Sequence, residues 1–229
     1  MLKIIICTGF NNGNRPQYGQ EFGIDRPLKK EWIEYRYEIW KKYTYQSILR
    51  QTDQNWIWIM KFHPQTKDIV ESIFQNLDDR VILNFDEEKQ KEILSRYDDV
   101  LIVRLDSDDM YRGDAIEQYR FAVENSDHNF FLCMKGYMFE TNGKLAKYDP
   151  IHSTPFHARR VNGKTHKYAN IGLQHRRIKD HNPYIMPENL FMVTIHNHNT
   201  SSRMQIATGD IKKGRWEYIL TKFGVQHEA

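Results

Sequence analysis

Three carboxylates within four positions, Asp106, Asp108 and Asp109, with Ser107 among them, are the side chains of this 229-residue chain best placed for chemistry. They directly follow the apolar run of residues 100–105, so they emerge together at the end of a buried strand. Such acids repel one another. A hard divalent cation relieves the repulsion, because Mg2+ or Mn2+ takes oxygen ligands and shares its remaining positions with phosphates and water. A second explanation needs no ligand, since acids also favour the first turn of a following helix. Two other chemistries fit less well. An EF-hand loop counted from Asp106 requires glycine where Tyr111 stands, although Glu117 satisfies its last position. A phosphatase with an aspartyl nucleophile carries its acidic pair after the first strand, whereas this cluster follows the fourth strand-like run.

Charge is unevenly spread. Residues 151–229 carry 12 Lys and Arg against 5 Asp and Glu, whereas residues 1–150 carry 21 against 25. Eight of the ten histidines also follow residue 150, so the second part is both basic and His-rich. This asymmetry points to an anionic ligand. Nucleic acid is not expected, because there is no zinc-finger spacing, no RNP-like aromatic motif and no long unbroken basic run. The stretches His157-Ala158-Arg159-Arg160 and His175-Arg176-Arg177 suit a diphosphate or an anionic acceptor, and equally a solvated surface. Cys7 and Cys133 lie far apart without a CxxC, which predicts reduced, buried thiols. No run approaches the roughly 18 consecutive apolar residues of a membrane span, and Met1-Leu2-Lys3 leads straight into a strand-like segment, so a cytoplasmic protein without a transmembrane segment is expected.

The acids need a scaffold, and the apolar pattern supplies one. Residues 2–8, 56–62, 81–85 and 100–105 are strand-length apolar runs. Between them, helical spacing covers residues 31–50 (Ile33, Tyr37, Trp40, Ile48) and continues at Ile69, Ile73 and Leu77. A third helix spans residues 87–97, with Asp86 as its cap. The order βαβαβαβ predicts an α/β fold with a mostly parallel sheet, in which ligands gather beyond the carboxyl ends of the strands. The acidic cluster lies at one such end. A helix over residues 114–125 and a strand over 130–134 follow. Beyond Gly136, turn signals at Asn142-Gly143, Asp149-Pro150 and Asn162-Gly163 predict antiparallel strands and loops, with a last strand at residues 191–195. Without repeats or an obvious linker, residues 1–229 read as a single domain.

Several segments together resemble one family. Arg104-Leu105-Asp106-Ser107-Asp108-Asp109-Met110 resembles the "TRLDNDD"-type signature of the rhamnosyltransferase family, glycosyltransferases of the GT-A class. Tyr43-Thr44-Tyr45-Gln46-Ser47-Ile48-Leu49-Arg50-Gln51-Thr52-Asp53 is similar to its "ytlpSl-x-aQTd", with Arg36 ahead of it and Asn55-Trp56-Ile57-Trp58 continuing it. Ile195-His196-Asn197-His198-Asn199-Thr200-Ser201 is similar to "iHg-x-N-x-s". These landmarks run from residue 36 to 201, and the stretch from Gly136 to Met192 matches least.

The resemblance implies a GT-A-like fold, with a Rossmann-like, mostly parallel central sheet flanked by helices and a mixed C-terminal part. Residues 1–110 would bind a nucleotide-diphosphate sugar donor and residues 111–229 a glycan or other hydroxyl acceptor, possibly an anionic one. It implies a DxD motif holding Mn2+ or Mg2+ against the donor's two phosphates. Asp108 is the expected direct ligand, Asp106 faces the ribose or the metal's water shell, Arg104 pairs with a phosphate or steadies Asp106, and Asp109 caps a helix. His196 is expected to join the metal shell, with His198 two residues on. Thr8, Gly9 and Phe10 are expected to meet the nucleobase and ribose, Phe10 by stacking, and Arg36 to lie at the donor. For an inverting transfer, Asp180 is the expected base, with Glu188 and Asp149 as the other available acids. Two alternatives stay open: a metal-dependent phosphohydrolase or nucleotidyltransferase, and a non-catalytic carbohydrate- or nucleotide-binding domain.

Overall fold

The four apolar runs ahead of the acids pair in parallel in a computed structural model, which describes residues 1–11, 26–150, 154–166, 175–197 and 207–225. Strand β1 (Lys3–Gly9) lies between β2 (Trp56–Lys61) and β4 (Asp99–Arg104), and β3 (Val81–Asn84) pairs with the far side of β2. Past β4 the sheet becomes mixed. β9 (His157–Asn162) runs antiparallel to β4, β6 (Phe130–Leu132) antiparallel to β9, and the short β10 (Tyr184–Ile185) parallel to β6. The expected α/β architecture is therefore present.

The inner strands read as continuous apolar runs because both of their faces are covered. Ile4, Ile6, Trp58, Met60, Leu101 and Val103 pack in one cluster with Ile33, Tyr37 and Trp40. Ile5, Cys7, Ile59, Val100 and Ile102 pack on the opposite face with Ile93, Leu94 and Ile178. Helix α1 (Lys30–Ile39) covers the first face. It does not run straight to residue 50 as its spacing predicts: a wider π-type turn at Trp40–Tyr45 intervenes before α2 (Gln46–Leu49). Tyr43, Thr44 and Tyr45 are consequently all buried, more than a regular helix face provides. Helix α3 (Lys67–Ile73) ends before Leu77, whereas α4 (Glu87–Ser95) covers the second face and is capped as expected, with Asp86 accepting from the Glu88 backbone N–H at 3.0 Å. Cys7 and Cys133 are free and buried, and burial pushes both thiols up to about 12.

Helix α5 (Ala115–Glu124) follows the acidic turn, and a second sheet of five strands completes the fold. Its order is β12 (Gly209–Asp210), β8 (Lys144–Tyr148), β7 (Gly136–Glu140), β11 (Phe191–Ile195) and β5 (Met110–Tyr111). β7 and β8 form the expected antiparallel hairpin, turned at Asn142-Gly143 with Gly143 at a φ of 105°, where a side chain would be strained. At β11 the expected antiparallel pairing is met with β5 but not with β7, to which β11 runs parallel after a long excursion through β9 and β10. One face of this sheet is covered by α6 (Trp216–Lys222), which contributes Trp216, Ile219 and Leu220. No helix among the described residues is long and apolar enough to cross a membrane.

Candidate active site

Between β4 and β5 the chain makes a turn that both sheets share. The Leu105 N–H donates to the Cys7 carbonyl at 3.1 Å and the Asp109 N–H to the Asp106 carbonyl at 3.3 Å, which fastens the turn to β1 and closes it. The three acids leave this turn in different directions and meet different partners. Asp106 receives Arg104 Nη2 on both oxygens, at 2.8 and 3.1 Å, and both side chains are about one-third exposed, at 37% and 32%. Asp108, with its side chain 13% exposed, meets Arg36 Nη1 at 2.9 Å and His196 Nε2 at 3.1 Å. Asp109, the one of the three that is buried, accepts the Thr194 backbone N–H of β11 at 3.0 Å.

The crowding of acids is thus relieved by three separate means. Asp106 has a guanidinium of its own. At Asp108, burial works against ionisation, but the Arg36 charge and the hydrogen bonds from His196 and Arg36 outweigh it and hold the carboxyl well below its usual range. At Asp109 burial dominates and the charges of Asp108 and Asp106 add to it, so its pKa rises well above the ordinary carboxylate value. Asp109 ties the turn to β11 and is not the helix cap it was expected to be. Asp114 holds the N-cap position of α5, and its side chain accepts no capping bond.

Arg36 is the centre of the cluster, and its side chain comes from α1 rather than from the acidic turn. It is 8% exposed, and burial, which opposes its charge, is outweighed by Asp108, so its pKa is raised. Nη1 lies 2.9 Å from both Asp108 Oδ2 and His196 Nε2, Nη2 donates to Ser107 Oγ at 2.5 Å, and the Trp32 ring centre lies 5.7 Å from the guanidinium carbon. Around it, Tyr35 Oη meets His196 Nδ1 at 3.2 Å, and Thr44 Oγ1, from the π-type turn, donates to the Ser107 carbonyl at 3.2 Å. Tyr35, Thr44 and Thr194 were given no site role from the sequence, and Ser107 was read only as a member of the acidic run. Each acts through a partner on a different element, which leaves no local spacing to read.

As a donor set, Asp108 and His196 are of the kinds a divalent cation takes: a carboxylate oxygen and an imidazole nitrogen lie 3.1 Å apart. The structure brings together two of the three expected ligands. Asp106 is turned to Arg104, and among the described residues no three His, Cys, Asp or Glu side chains converge on one metal position. His198 lies outside the described residues.

The other expected site residues are distributed as follows. Thr8 is fully buried, with Oγ1 accepting from Trp58 Nε1 at 2.9 Å, so it locks β1 to β2. Gly9 is exposed at the strand end. Phe10, 5% exposed, is packed by Trp32, Phe62 and Phe74 at 6.0, 5.1 and 5.3 Å between ring centres, so its ring belongs to the core rather than to a stacked base. The mouth of this loop is instead held by Asn11, which donates to the Pro27 carbonyl and Thr66 Oγ1 and accepts from the His63 N–H. Asp180 is not brought to the cluster. It is exposed on the turn His175–His181, whose Ile178 packs on the sheet face opposite α1. Glu188 and Asp149 both approach Lys135, at 2.7 and 4.0 Å, beside an open cleft of about 350 Å³ lined also by Tyr137, Tyr148, Lys147 and Arg215. In the basic stretch of β9, Arg160 is bound by both oxygens of Asp99, at 2.8 Å each, and Arg159 lies over the Phe130 ring.

A family model described as "Putative rhamnosyl transferase" matches residues 7–208. Among solved structures, S. aureus TarS 1-349 is 12% identical over 96% of this chain and 70% of that chain, with a TM-score of 0.44. The same protein in complex with UDP gives 12%, 96% and 70%, with a TM-score of 0.43. A "putative nucleotide-diphospho-sugar transferase" from Desulfovibrio desulfuricans G20 gives 10% identity over 90% of this chain and 91% of that chain, with a TM-score of 0.35. No curated protein matches the sequence significantly.

Proposed function

The chain belongs to this rhamnosyl transferase family, and on that premise we propose that it is a metal-dependent glycosyltransferase moving a hexosyl or deoxyhexosyl unit from a nucleotide-diphosphate sugar to a hydroxyl of a glycan or similar acceptor, with inversion. The observation that carries the reading is the largely buried cluster of Arg36, Asp108 and His196 beyond the carboxyl end of β4, where an α/β sheet binds its ligands. Glycosyl transfer from such a donor requires that charge growing on the leaving diphosphate be neutralised. Asp108 and His196 would hold Mn2+ or Mg2+, which supplies that neutralisation when bound. Arg36 and Arg104 add fixed positive charge to the same region, and the partly exposed Asp106 can accept a ribose hydroxyl. For the acceptor, the cleft lined by Tyr137, Tyr148, Lys135, Lys147, Arg215, Asp149 and Glu188 offers aromatic surface with charges of both signs, which suits a polar glycan.

The test is incubation of the protein with Mn2+ and a panel of UDP-, GDP- and dTDP-sugars, followed by analysis of the nucleotide released. Nucleoside diphosphate, appearing faster with acceptor glycan, is the expected product. Monophosphate or free phosphate alone would favour a phosphohydrolase. Absence of both turnover and metal-dependent binding would leave a carbohydrate- or nucleotide-binding domain.

A further inference from the structure

The contacts at the centre of the cluster cannot all be hydrogen bonds. Arg36 Nη1, Asp108 Oδ2 and His196 Nε2 form a nearly equilateral triangle with sides of 2.9, 2.9 and 3.1 Å. The two N–H bonds of Nη1 diverge too widely to point at acceptors so close together. If His196 Nε2 carries a proton for Asp108, it opposes the N–H of Arg36. If it accepts from Arg36, two acceptor lone pairs face one another across 3.1 Å. One side of the triangle is mismatched in either tautomer. Two converging acceptors with a cation between them is also the arrangement that a divalent ion satisfies without hydrogen-bond directionality. A second mismatch lies along the same side chain: Arg36 Nε is buried and has no hydrogen-bond partner among the described residues. The guanidinium is therefore held firmly by Ser107 and Asp108 and stacked near Trp32, yet it keeps one unused donor.

We propose that Arg36 is a built-in occupant of the cation position between Asp108 and His196, which the divalent ion displaces, and that the displaced guanidinium then turns its free donors to the donor's diphosphate. This rests on the metal-dependent reading above. The consequence is coupling between ion and diphosphate. An ion arriving alone has to displace a buried cation that finds no replacement anion, whereas with diphosphate present the guanidinium gains one. Arg36 thus acts as a positioning residue that makes the ion and the nucleotide bind together.

Binding of Mn2+ alone, without nucleotide, is measured by the electron paramagnetic resonance of the free ion for wild type, Arg36→Met and Asp108→Asn. The Arg36→Met protein is expected to bind Mn2+ more tightly than wild type by a factor in the range of about 5–150, and Asp108→Asn is expected to lose the site. Equal, Asp108-dependent affinity in wild type and Arg36→Met would overturn the displacement while leaving the metal reading intact. Absence of Asp108-dependent binding in both would overturn the two together. Should Arg36→Met fail to fold, crystals of the wild type soaked in Mn2+ together with a nucleoside diphosphate decide the matter, and a site that holds the nucleotide without the ion overturns the proposal together with the metal reading. The guanidinium is expected to leave His196 Nε2 with the ion in its stead, and a guanidinium that stays between Asp108 and His196 beside a bound ion overturns the proposal.

Discussion

Two arginine–aspartate pairs flank the turn after β4, and they differ in nearly every physical respect. Arg104 and Asp106 stand two residues apart, about one-third exposed, on the rim of the sheet. Arg36 and Asp108 are 72 residues apart, with side chains only 10% and 13% exposed, and joined across helix and turn. An exposed pair of the first kind contributes about 0–1 kcal/mol and exchanges readily with solvent or ligand. Removing one partner of a buried pair costs about 3–5 kcal/mol, because the other charge is left without compensation. The same two residue types therefore serve different ends: the rim pair is an adjustable surface for a donor, and the buried pair is a preformed charge arrangement that only another cation replaces.

Substitutions can break or sharpen this contrast. The largest effect is expected from Asp108→Asn, which should lower kcat/KM by about 100-fold or more in a nucleotide-sugar assay. Retention of most activity would reduce the buried pair to a structural tie. Arg104→Met should raise the donor KM several-fold and move Tm by no more than about 4 °C, since about 1 kcal/mol at most is lost from an exposed pair. A larger loss of stability would erase the difference between the pairs. The third acid separates burial from pairing. Asp109 has a raised pKa in the fold, so its contribution to stability is complete below the ordinary carboxylate pKa and is lost as pH rises through the folded value. Asp109→Asn retains an oxygen for the Thr194 N–H but cannot ionise, so its Tm relative to wild type should increase from pH 4 to pH 7 in parallel thermal melts. A constant difference would show that Asp109 is ionised in the fold. The smallest effect is expected from Asp180→Asn, on the opposite face of the sheet, with turnover unchanged within about twofold.

The scaffold was far more legible in the sequence than the site. Residues 100–105 and their neighbours read as strands because burial on both faces demands unbroken apolar runs, and Asp86 read as a cap because capping is local. The roles within the acidic cluster were not local. Asp106, Asp108 and Asp109 look alike in sequence, yet a turn sends one to the rim, one to α1 and one to β11. Arg36 was legible only through the family resemblance, since nothing in helical spacing says that a buried position can hold a guanidinium. Phe10 was misjudged because a strand-end aromatic looks the same whether its ring faces a ligand or packs against Trp32, Phe62 and Phe74. The π-type turn at Trp40–Tyr45, which sends Thr44 toward Ser107, leaves no trace in a pattern of apolar residues.

The central claim, that Asp108 and His196 form the metal and diphosphate end of a donor site, is tested most directly by titrating UDP, GDP and dTDP into wild type and Asp108→Asn in a calorimeter, with and without Mn2+. The account predicts that one nucleotide binds wild type in the presence of Mn2+ and that its affinity falls at least about tenfold both without the ion and in the Asp108→Asn protein. A nucleotide that binds equally well in all three cases would contradict it.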